Sequence, residues 1–171
     1  LMIASQNGHS EVVKQLLAFG AKINDKNNKN SNALMLASSC GNGAVVDLLL
    51  AAGASFKDKD NSSCSALILA SMHGHAAVIK QLLKVGADIT DKCDGYSLLM
   101  FTCESGYLEV VTQLLEAGAS VNDRVSDGGV SPLIYASQNG HADIVEKLLE
   151  FDAEIEIRTD HGTTAVMLAS Q

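Results

Sequence analysis

The residues of this chain with most chemical potential are its histidines, serines and cysteines, and their spacing decides whether that potential is used. His73 and His75 form an H-x-H pair that could share a metal ion. No acid or cysteine stands at ligand spacing beside them, and a zinc site needs three or four such ligands. Cys40, Cys64, Cys93 and Cys103 contain no C-x-x-C pair and no regular gap, so neither a zinc knuckle nor a disulfide framework is signalled. Free thiols in a reducing compartment are the expectation. A thiol or hydroxyl nucleophile needs a base held against it, and no unique Ser-His-Asp or Cys-His set emerges. No catalysis, cofactor or metal is expected.

The serines point elsewhere, because they recur. Ser5, Ser38, Ser71, Ser137 and Ser170 each follow an alanine, and a residue that returns in unit after unit serves the scaffold. Corresponding segments begin at Ala4, Ala37, Ala70, Thr102, Ala136 and Ala169, separated by 33, 33, 32, 34 and 33 residues. The two deviations fall in the stretches Gly86–Thr102 and Gly118–Ala136, so the length changes lie between repeats, as expected for loops.

Each unit reads as helix, tight turn, helix, loop. Asn32, Ser65, Ser97, Ser131 and Thr164 can cap the start of the first helix with a side-chain oxygen, and Pro132, the only proline, falls where a missing N–H costs nothing. Gly8, Gly41, Gly74, Gly106 and Gly140 break that helix. The second helix carries Val45, Val46, Leu48 and Leu49 and their equivalents, an apolar stripe wide enough to need cover on more than one side. Gly20, Gly53, Gly86 and Gly118 end it with a left-handed residue; Asp152 takes that place in the fifth unit and is predicted to have positive φ.

The Gly-His steps at 8–9, 74–75 and 140–141, the Val-Val and Leu-Leu pairs and the terminal Gly-Ala steps resemble the ankyrin-repeat family across essentially the whole chain. That resemblance implies an all-α solenoid of stacked antiparallel helix pairs joined by β-turn loops, with histidines that tie the turns. A single domain over 1–171 is expected, with repeats at 32–64, 65–96, 97–130 and 131–163 and partial repeats at 1–31 and 164–171, truncated from a longer array. The family's T-P-L-H box reads NALM, SALI, SLLM, SPLI and TAVM, so Met35, Ile68, Met100, Ile134 and Met167 replace its histidine with apolar packing. Asn24 and Asn122 resemble asparagines that are hydroxylated in some ankyrin repeats, but Lys22 and Ser120 stand where an acid is preferred, so an ordinary turn role is expected.

Composition limits the partners. The net charge is −8 with 4% aromatic residues, which disfavours nucleic acid and anionic lipid. No apolar run approaches the roughly 20 residues that span a bilayer. Residues 1–57 carry five Lys against three acids, whereas residues 58–171 carry seven Lys and Arg against seventeen acids. The expectation is an intracellular, cytoplasmic monomer that binds a protein or peptide, with a basic segment of the partner meeting the acidic half. The resemblance places binding on a concave face formed by loop tips and first helices, at Lys26, Lys29, Lys59, Asn61, Met72, His73, Asp94, Tyr96, Glu104, Asp127, Gln138, Asn139, Arg158 and Asp160. The middle units carry the most weight, since Met72, His73, Tyr96 and Glu104 combine apolar, aromatic and charged groups. The alternatives are a regulatory or targeting region of a larger enzyme, or a structural spacer.

Overall fold

Short helices punctuated by left-handed residues are what a 33-residue repeat with two glycines per unit dictates. A computed structural model describes residues 1–126 and 128–169, the side chains of Leu168 and Ala169 excepted. It divides into two compact units, Leu1–Asp94 and Gly95–Gln171.

In the first unit the helices are α1 (Met2–Gln6), α2 (Ser10–Ala18), α3 (Ala33–Ser39), α4 (Gly43–Ala51), α5 (Ala66–Met72) and α6 (Ala76–Lys84). The first helices α1, α3 and α5 pack in succession, as do the second helices α2, α4 and α6. Helix α4 therefore meets α3 within its own repeat and α2 and α6 on either side. Its wide stripe needs this arrangement: Val45, Val46 and Leu49 are fully buried, Leu48 half-buried.

The second unit repeats the plan with α7 (Leu98–Ser105), α8 (Leu108–Glu116), α9 (Pro132–Gln138), α10 (Ala142–Glu150) and α11 (Ala165–Ala169). Helix α9 packs against α7, α10 and α11, and α8 against α7 and α10. The all-α architecture is as expected, with strand limited among the described residues to β1 (Lys92–Cys93) and β2 (Tyr96–Ser97).

Most local expectations hold, for the reasons given. The Asn32, Ser65, Ser131 and Thr164 side chains accept from the third following N–H, at 2.9 Å for Asn32 and 3.4 Å for the others. Ser97 does not: its hydroxyl makes no capping bond, and its oxygen is buried without a hydrogen-bond partner. Asp152 has φ 61°, so the register holds into the fifth repeat. Met35, Ile68, Met100 and Ile134 are fully buried, whereas Met167 is 50% exposed. Burial at this position comes from flanking helices on both sides, and α11 packs against α9 on one.

The loops are closed by small polar residues. The Asn27 side chain accepts from the N–H of Lys29 and Ser31, Asp60 from Ser62 and Cys64, and Thr159 from Thr163. Main-chain bonds then seal tips 27–31, 60–64 and 159–163. In the longer spacing after Gly118 the seal runs from Val125 N–H to Val130 O, so the extra residue lies at the loop tip.

Candidate functional site

Equally spaced loops bring each polar tip side chain within reach of the next tip, and several proposed contact residues are spent on that. In the first unit Lys26 pairs with Asp58 at 3.2 Å and Lys59 with Asp91. Asn61 donates its N–H to Lys29 O and its amide to Asn28 O. Lys29 itself keeps an exposed side chain. In the second unit the Asp160 carboxylate accepts from Gly128 N–H at 3.1 Å, and Arg158 Nη1 donates to Gly162 O at 3.2 Å. Arg124, which the sequence did not single out, donates to Gly129 O and Arg158 O. Asp127 lies outside the described residues, and Asp94 is exposed with φ 51°.

Asn24 and Asn122 also serve the stacking. The Asn24 oxygen accepts Ser55 N–H, and Asn122 bonds both Glu154 N–H and Asp152 O. Each ties its repeat to the next, which supports the turn role.

Two of the three histidines after glycine, His75 and His141, tie a neighbour rather than their own turn. His75 Nε2 bonds Ser39 O at 3.0 Å, and His141 Nε2 bonds Glu104 O at 3.2 Å. Each ring lies over the preceding repeat's turn glycine: a Cβ on Gly41 would stand 2.6 Å from the His75 ring, and one on Gly106 2.7 Å from His141. Asn42 does the same with its amide, reaching Ser5 O and Gln6 O across Gly8. Such a reach covers carbonyls left open at a helix end.

Met72 ends α5 half-buried, and His73 beside it is exposed, its Nδ1 on Leu69 O at 2.8 Å. His73 and His75 are stacked, 6.1 Å between ring centres. Among the described residues no group of three or more His, Cys, Asp or Glu is placed to hold a metal ion.

In the second unit Tyr96 stacks on Phe101 (5.5 Å) and leans on Tyr135 (6.0 Å). All three rings are half-buried; Glu104 is exposed on α7, Gln138 on α9, and Asn139 just beyond the end of α9. Burial raises the Tyr135 phenol pKa above its ordinary value, helped by its hydrogen bond to Tyr96 and by the Glu104 charge. Asn139 folds its amide onto Tyr135 O at 2.9 Å. Phe101 and Tyr135 escaped sequence reasoning because they occupy the helix position filled by Leu36 and Leu69 in the first unit, which reads as framework. The signal was the change from aliphatic to aromatic.

The cysteines overturn one expectation. Cys64 and Cys93 are joined by a disulfide, Cα atoms 5.0 Å apart and 29 residues apart in sequence, a separation ordinary for such a bond. No motif announces it, because the pairing comes from two successive loops lying side by side. Cys40 is free and exposed; Cys103 is free and buried, its thiol pKa pushed far up by desolvation.

Among the described residues no helix is long and apolar enough to cross a membrane. No curated protein matches the chain. The family model for ankyrin repeats (3 copies) matches it three times, over residues 1–93, 52–125 and 99–171. With the stacked helix pairs, the left-handed turn residues and the histidine ties between neighbours, those matches establish that the chain belongs to the ankyrin-repeat family.

Proposed function

We propose that this chain binds a partner protein or peptide through exposed first-helix ends and loop tips. Ankyrin repeats generally act as protein-interaction modules, and one observation carries the reading here. Buried positions repeat from unit to unit, as with Leu34, Leu67, Leu99 and Leu133, whereas the exposed residue just before the turn glycine changes, from Cys40 and His73 to Ser105 and Asn139. In the first unit the contact residues are Met72, His73 and Lys29; in the second they are Tyr96, Glu104, Gln138 and Asn139. Tip residues already tied to neighbouring loops, including Lys26, Lys59, Asn61, Arg158 and Asp160, shape the surface more than they grip a partner.

The partner presents a basic segment to the second unit, where residues 95–171 carry twelve acids against three Lys and Arg, a net charge of −9. Such charge raises association rate and salt sensitivity more than affinity. Affinity capture from the source cell, followed by titration of the purified partner, tests this reading. Changing Met72, His73, Tyr96 and Glu104 together should abolish capture, and affinity should fall as salt rises to physiological strength. Undiminished capture by that variant removes the proposed face.

A further inference from the structure

The aromatic row of the second unit lies beside a carboxylate that no cation of the unit neutralises. Among its described residues, Arg124 is committed to two carbonyls, Arg158 to Gly162 O, and Lys147 to Glu150. Glu104 is exposed on α7, one helical turn beyond Phe101, and His141 touches only its backbone oxygen. Phe101 and Glu104, three residues apart, share one face of α7, and Tyr96 bridges Phe101 to Tyr135, so the carboxylate stands at the edge of the aromatic row.

We infer that this place, Tyr96, Phe101 and Tyr135 with Glu104 at their edge, receives an arginine side chain from the partner's basic segment. The inference rests on the partner-binding reading above and names the chemistry recognised. A guanidinium is planar, stacks on aromatic faces and is weakly hydrated, so half-buried rings suit it better than a compact ammonium. Its N–H groups point outward in the ring plane, where the Glu104 carboxylate and the phenol oxygens can accept them. The surrounding charge of −9 draws such a group in from solution.

The test titrates the full chain, labelled with ¹³C in its aromatic rings, with the peptide Ac-Gly-Ser-Arg-Gly-Arg-Ser-Gly-NH2 and with its citrulline and lysine counterparts, followed by NMR. Expected are saturable shifts of the Tyr96, Phe101 and Tyr135 rings with the arginine peptide. The uncharged citrulline peptide, nearly the same shape, should bind roughly tenfold more weakly, as should Glu104→Gln with the arginine peptide, since a charge-assisted pair is lost from a partly desolvated place. Tyr135→Leu should abolish the ring shifts while far-UV circular dichroism stays unchanged. Equal binding of the lysine peptide, unchanged affinity in Glu104→Gln, or ring signals that never move would each overturn the inference. Those outcomes leave the parent reading standing if capture still depends on Met72 and His73; it falls separately if capture ignores the fourfold variant.

Discussion

Replacing Gly41 with alanine isolates the tie between successive repeats. Gly41 has φ 72°, and a Cβ there would stand 2.6 Å from the His75 ring, whose Nε2 bonds Ser39 O. Gly53, in the same repeat, has φ 86° and nothing within 4 Å of a Cβ. Gly53→Ala therefore reports the left-handed penalty alone, about 1 kcal/mol. Gly41→Ala adds displacement of the ring and loss of its hydrogen bond, about 1 kcal/mol more, for a total near ~2 kcal/mol. The assay is urea unfolding followed by circular dichroism. Because both sites lie in one repeat, any stepwise unfolding of the array affects them alike. The decisive comparison adds His75→Ala, which empties the space over residue 41: in that background the cost of Gly41→Ala should drop to that of Gly53→Ala, a coupling of about 1 kcal/mol. An equal cost of Gly41→Ala with and without His75 would refute the tie.

Two further outcomes follow from the first unit. Closing 29 residues between Cys64 and Cys93 restricts the unfolded chain by about 3.5 kcal/mol on the loop-entropy estimate, so a reductant should lower the unfolding midpoint of the native chain and leave a Cys64→Ser/Cys93→Ser variant unmoved. Thiol titration of the oxidised, denatured protein should find Cys40 and Cys103 alone, and in the native protein Cys40 should react far faster than Cys103; four titratable thiols in the oxidised, denatured protein would contradict the bond. Asn32 is fully buried, accepts Met35 N–H at 2.9 Å, and donates to Ser55 O and Asp58 Oδ2. Asn32→Ala should cost about 2–3 kcal/mol, against about 1 kcal/mol for Ser65→Ala, whose capping contact is longer at 3.4 Å, both read by urea unfolding.

Period, helix starts and turn positions were legible in the sequence because each depends on a few neighbouring residues. A cap needs one side chain and the backbone three residues on; the left-handed residue at Asp152 was predictable from its place in the repeat. The exceptions were decided by surroundings. Ser97 occupies a capping position without bonding, and Met167 keeps the core residue type while half exposed.

The candidate site was less legible, for a different reason. Repetition marks the framework, so a functional residue in a framework position, such as Phe101 or Tyr135, is hidden until neighbouring helices set it against Tyr96. In the same way the spacing of Lys26, Lys59 and Asn61 placed them at loop tips but left open whether they face solvent or the next loop. The sequence by itself determined where the chain turns, since backbone conformation is a local property. Only the tertiary structure decided which side chains of successive repeats touch, including the Cys64–Cys93 bond, because contacts between residues about thirty positions apart depend on how one helix pair stacks upon the next.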